Sequence, residues 1–130
     1  MIIIDSSAMV EALVGRDADD ELLDALQADV HAPHLLDVEV LSVLRGLGLG
    51  GKLEFRAAEQ ARIDYFAFTI VRHELHGLAD RVWELRHNYT TYDACYLALA
   101  EATGAVLYTC DQKLANDAHN AETKVFPRTQ

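Results

Sequence analysis

A chain of 130 residues, 51% hydrophobic and 25% charged, fits one compact domain around one core, and that composition excludes disordered, fibrous and membrane-spanning classes. Its 11 Lys and Arg against 21 Asp and Glu give a formal net charge of −10, which argues against a protein that grips nucleic acid through a broad basic face. Either some of these acids do chemistry that requires a cation, or the partner is not nucleic acid.

Residues 1–4 are apolar and β-branched and predict a short buried strand, too short for a signal-sequence core or a membrane span, so the expected location is cytoplasmic. Asp5, Ser6 and Ser7 are N-cap residue types and precede a helix expected over 8–13, which Gly15 breaks. A second helix is predicted over 19–28, with Leu22, Leu23 and Leu26 inward, then a strand over 30–32. The run 35–47 predicts a helix closed by the glycines at 46, 48, 50 and 51. At about 100° per residue, Leu36, Val40, Val43 and Leu47 form its inner stripe, with Arg45 opposite. Further helices are expected over 54–65 and 75–86, with a strand over 68–71 between them. Residues 92–102 are apolar nearly all round, the mark of a buried helix ended by Gly104. A strand over 105–108, a helix over 113–118 and an edge strand over 124–126 complete the chain. Apolar strands alternating with helices predict an α/β fold, a three-layer α/β/α sandwich on a parallel sheet, in which ligands bind beyond the carboxyl ends of the strands.

Four carboxylates fall where that rule directs attention. Asp5 follows the first strand and Asp111 lies just past the strand at 105–108, while Asp93 opens the buried helix with capping-box spacing from Thr90. Glu39 sits mid-helix, roughly 60° off the apolar stripe, where an ionised side chain is costly unless paired. Gathered at one end of a sheet, four acids raise one another's pKa and weaken the fold unless a divalent cation joins them. An all-oxygen set without His or Cys points to Mg²⁺ or Mn²⁺ rather than zinc, and phosphodiester hydrolysis is the natural reaction for such a site.

The segments MIIIDSSAMVEALV, APHLLDVEVLSVLR and TTYDACYLALAEATGAVLYTCDQKLA resemble the VapC-type toxins of the PIN-domain family, most tightly over residues 1–14, 32–47 and 89–115. The resemblance implies a single PIN-like, Rossmann-like domain over residues 1–130 acting as a Mg²⁺- or Mn²⁺-dependent endoribonuclease. It implies that Asp5, Glu39, Asp93 and Asp111 form the catalytic and metal-binding set, with Thr109 and Ser6 as hydroxyls supporting them. It also implies a homodimer, an RNA substrate, and silencing by a cognate VapB-type antitoxin whose basic tail suits an acidic groove.

A PIN-like protein- or RNA-binding module without activity would be expected to lose an acid, yet all four are present. A receiver domain needs an acidic pair before its phosphorylated Asp, and a haloacid-dehalogenase-like phosphatase needs DxDxT; the chain reads Asp5-Ser6-Ser7-Ala8-Met9. His73-Glu74-Leu75-His76 is not HExxH, and the Gly46–Gly51 region lacks GK[ST]. Cys95 and Cys110 read as buried free thiols. Arg45 and Lys52, with Arg56, are candidate RNA contacts, and Tyr89 is a candidate base-stacking ring. Asn116 and Asp117 are left open between the site and solvent.

Overall fold

The computed structural model describes residues 1–130. Its strands β1 (Ile2–Ile4), β2 (Val30–Pro33), β3 (Ile70–His73), β4 (Val106–Thr109) and β5 (Thr123–Val125) form one sheet in the order β3-β2-β1-β4-β5. Every pairing is parallel, with Ile2 opposite both Val30 and Val106. Helices α1 (Ser6–Val14), α2 (Asp20–Ala25), α3 (Leu35–Leu49), α4 (Phe55–Ala67), α5 (Ala79–Glu84) and α6 (Thr91–Thr103) make the connections. Right-handed crossovers that run one way from β1 to β3 put their helices on one face, and reversing direction to reach β4 puts the next helices on the other. Accordingly α1, α3 and α4 pack together, while α5 packs on α6 and α6 lies against β1, β2 and β4. The sheet changes direction between β1 and β4, so the crevice predicted to hold a ligand opens at their carboxyl ends.

Twenty-nine buried residues form one hydrophobic cluster on both faces of the sheet. Helix α6 contributes seven in succession, Ala94 through Ala100, as its all-round apolar pattern predicts, and Gly104 ends it in a left-handed conformation at φ 72°.

Several elements depart from expectation for local reasons. The buried line of α3 is Leu36, Val40, Leu44 and Gly48; Val43 and Leu47 face the crevice instead. The helix also runs through Gly46 and Gly48 rather than stopping there. At Gly48 a Cβ would lie 3.2 Å from the Phe55 ring, so the missing side chain admits α4, and the turn waits for Gly51 at φ 73°. The expected helix over 75–86 is shorter: α5 is flanked by 3₁₀ turns at His76–Leu78 and Leu85–His87. Its Trp83 stays on the surface under the Arg86 guanidinium, 4.7 Å from the ring centroid. In place of a helix over 113–118 there is a 3₁₀ turn at Gln112–Ala115, capped by the Asp111 side chain. The Asn116 carboxamide then accepts the Ala118 N–H, a local bond that competes with helix continuation.

Beyond β5 the chain crosses back over α1. The Thr129 N–H donates to Glu11 Oε1 at 2.7 Å, and the Thr129 hydroxyl donates to Glu11 Oε2. The Arg16 and Asp17 amides in turn donate to Thr129. Glu11 is fully buried, and its carboxylate curls beneath Gly15, where a Cβ would meet it at 2.2 Å. A side chain at position 15 would therefore break this clamp.

Candidate active site

Asp5 is both the residue after β1 and the N-cap of α1. Its N–H extends the sheet ladder to the Tyr108 carbonyl at 3.1 Å, and its Oδ1 accepts the Ala8 N–H at 3.0 Å. The Ser7 hydroxyl donates to the same oxygen at 2.7 Å, and the Thr109 hydroxyl donates to Oδ2 at 2.5 Å. Each hydroxyl has one proton, so both are spent on Asp5. Their oxygens then accept the backbone of the β4 exit: Cys110 N–H to Ser7 at 2.8 Å and Asp111 N–H to Thr109 at 2.9 Å. One carboxylate thus ties together the carboxyl ends of the two central strands. The serine bonded to Asp5 is Ser7, and Ser6 lies on the crevice wall with no bond to the carboxylate. An N-cap side chain reaches two or three residues ahead, which is why the second serine meets it.

Asp5 is 5% exposed, and burial pushes its carboxyl up to about 6 despite the opposing hydrogen bonds from Thr109, Ala8 and Ser7; the charge of Asp93 adds to the rise. Asp93, in the first turn of α6 with its N–H capped by Thr90, is raised by burial and then by the charge of Asp111, with Lys113 acting the other way. Glu39 is raised by burial, held down by the Tyr96 hydroxyl that donates to its Oε1 at 2.6 Å, and raised further by Asp93. Asp93 is therefore a charge that both Asp5 and Glu39 feel. Asp5, Asp93 and Asp111 line one crevice of about 320 Å³ with Ser6, Arg128 and Gln130, while Glu39, on α3, is not part of that lining.

The remaining candidates separate. Lys52 and Arg45 are exposed, but Arg45 lines a groove between α3 and α4 away from the acids. Tyr89 is buried at 8%, its ring beside His119 and its hydroxyl bonded to Asn116, so it offers no free face to a base. Asn116 is occupied with that bond, and Asp117 acts on Tyr89 by its charge rather than on the acid cluster. Both cysteines are free and buried, and burial raises their thiols, Cys110 to about 11, which leaves them unreactive. His73 stacks on and hydrogen-bonds His31 across β2 and β3 instead of joining His76. Arg128 and Gln130 were not anticipated, because only the clamp on Glu11, 118 positions away from Thr129, brings them to the crevice.

The donor set is all oxygen, and burial raises Asp5, Asp93 and Glu39, so ionising those three is costly without a cation. No three His, Cys, Asp or Glu side chains close into a ready-made ligand cage.

The family model described as the PIN domain matches residues 2–119. The chain belongs to the PIN-domain family. Within it, the chain is 40% identical over 119 residues to ribonuclease VapC1 of Mycobacterium tuberculosis, covering 87% of each protein. Among solved PIN-like structures, PAE2754 from Pyrobaculum aerophilum superposes with a TM-score of 0.68 at 21% identity, covering 93% of this chain and 86% of that one. VapBC2 of Rickettsia felis, solved on a DNA fragment from its promoter, gives 0.67 at 16% identity over 97% and 99%. These two likenesses bear on the fold, which is the α/β/α arrangement with a five-stranded parallel sheet.

Proposed function

We propose that this PIN-domain protein is an endoribonuclease toxin that hydrolyses RNA phosphodiester bonds with Mg²⁺ or Mn²⁺. The observation that carries the reading is the placement of Asp5, Asp93 and Asp111 around one crevice at the β1–β4 switch point, with Asp5 buried and its carboxyl raised. A carboxylate kept at such cost, with three donors fixing its orientation, is a group selected for binding something positive.

Asp5, Asp93 and Asp111 would hold the ion, directly or through water. Bound there, it would offset the acids' repulsion, polarise the phosphodiester and lower the pKa of the attacking water. Thr109 and Ser7 keep Asp5 in one orientation, and Lys113 moderates the charge at Asp93. Glu39 has one oxygen occupied by Tyr96, and its other oxygen would complete the ion's shell or help orient the attacking water.

The partner readings rest on surface chemistry. The groove between α3 and α4, about 320 Å³ and lined by Leu41, Leu44, Gly48 and Phe55, suits the apolar face of a VapB-type antitoxin, and the acidic crevice suits its basic tail. A second copy of the chain is the other proposed partner, with exposed Val38, Leu75 and Tyr92 as available apolar surface. No helix is long and apolar enough to cross a membrane, and two free cysteines suit the reducing cytoplasm.

The test incubates the purified chain with total cellular RNA in Mg²⁺ or Mn²⁺, in EDTA, and with Asp5→Asn alongside. Discrete fragments that need the metal and vanish in the variant are expected. Cleavage by Asp5→Asn at the parent rate would refute the assignment.

A further inference from the structure

Arg16, Lys52 and Arg128 arrive from three separate places: just past α1, just past α3, and the segment clamped onto Glu11. They line one cavity of about 540 Å³, within the roughly 300–1,000 Å³ range of pockets that enclose ligands. Its other lining includes a single acid, Glu54, in a chain with 21 of them. Leu47, Arg128 and Gln130 belong to this cavity and to the acidic crevice alike, so the two are continuous. The cations themselves are unspent. Only Arg62, Arg72, Arg81 and Lys124 of the 11 Lys and Arg are held in ion pairs, and three of the seven without one, Arg16, Lys52 and Arg128, line this one cavity.

We infer that this cavity is a phosphate-binding track for the RNA strand on one side of the scissile bond, with Arg128 at the junction between track and crevice. The inference rests on the nuclease reading and adds to it the means by which a chain of net charge −10 holds a polyanion. Acids gathered at the reacting phosphate repel the rest of the backbone, so a strand in place needs unpaired cations immediately beside them. Arg128 is a positioning residue here. Its side chain is carried by backbone that Glu11 locks through Thr129, which makes the junction rigid.

The test uses a fluorescein-labelled single-stranded RNA of random sequence, titrated by anisotropy in EDTA over a range of KCl, with Asp5→Asn as the parent so that no cleavage intervenes. Each of R16A, K52A and R128A is expected to lower the slope of log affinity against log salt by about 0.7, and the triple variant by about 2. R86A, which removes the same charge from a residue that lines neither the cavity nor the crevice, is the control and is expected to keep the parent slope. An unchanged slope in the triple variant overturns the track, as does an equal loss in R86A. Equal weakening of a polyglutamate peptide, with RNA unaffected, would assign the cavity to an acidic protein segment and overturn it too. If the triple variant does not fold, as judged by its thermal transition, the three single variants decide. Failure of the nuclease reading is separate: the unsubstituted chain would then cleave no RNA with either metal, whatever the slopes. Cleavage with KM unchanged in the single variants would refute the track alone.

Discussion

Replacing Asp5 with Asn should stabilise the metal-free protein while abolishing its activity. Burial lifts the Asp5 carboxyl from 3.8 to about 6, so the folded chain binds this proton more tightly than the unfolded chain does. The group's contribution to stability is therefore complete below the unfolded value and is lost as pH rises through the folded one. At about 1.4 kcal/mol per unit, the ionised carboxylate costs the metal-free fold about 3 kcal/mol at pH values near 8. Asn removes that cost but cannot accept all three of the bonds from Ala8, Ser7 and Thr109. Losing one of them costs about 1 kcal/mol, leaving a net gain of about 2 kcal/mol. For a domain of this size that raises Tm by roughly 5–10 °C. Near pH 4 the gain should vanish or reverse, since about that pH the parent carboxyl is already protonated when folded. Calorimetry of both proteins in EDTA across this range checks the reasoning, and a second series with Mg²⁺ should stabilise the parent only, by about 2.7 kcal/mol at a hundredfold excess over Kd. A variant less stable than its parent by the same margin at both ends of the range would show that Asp5 carries no burial cost.

Other substitutions probe the parts separately. Thr109→Val removes the donor to Asp5 and the acceptor for the Asp111 N–H, and urea unfolding should show a loss of about 2–3 kcal/mol with metal affinity weakened about 10- to 100-fold by titration calorimetry. Tyr96→Phe frees Glu39, so cleavage kinetics should show kcat reduced with KM little changed, alongside a stability loss of about 1 kcal/mol. Gly46 is exposed within α3 with nothing near its would-be Cβ, so Gly46→Ala should raise stability by about 1 kcal/mol without altering cleavage, as read by unfolding and RNA assay.

How far the sequence could be read depended on whether each signal was local. The strand ahead of Asp5, the buried α6 and the acid positions all rest on patterns within a few residues, and the alternation of strands and helices implied the parallel sheet. The α3 stripe failed at Val43 because that helix has two apolar lines, one for the core and one for the crevice, and periodicity alone does not say which is buried. The Ser7 hydroxyl meets Asp5 through the fold around the N-cap, a contact that a resemblance in residue pattern does not specify. Tyr89 looked available in a run of polar neighbours, yet Asn116 and His119 from the far side of β4 close over it. Arg128 depends on a buried Glu at position 11, which in sequence is merely an acid within a short helix.

The crevice also has a timing built into it. Thr109 meets Asp5 across 104 positions and Thr129 meets Glu11 across 118, and both contacts border the same opening. A nascent chain with only its first hundred residues outside the ribosome holds Asp5, Glu39 and Asp93 but neither β4 nor the segment that carries Arg128. It has no assembled cutting centre. The opening is thus completed only after residues far apart in the chain have met, and it is among the last parts of the fold to assemble.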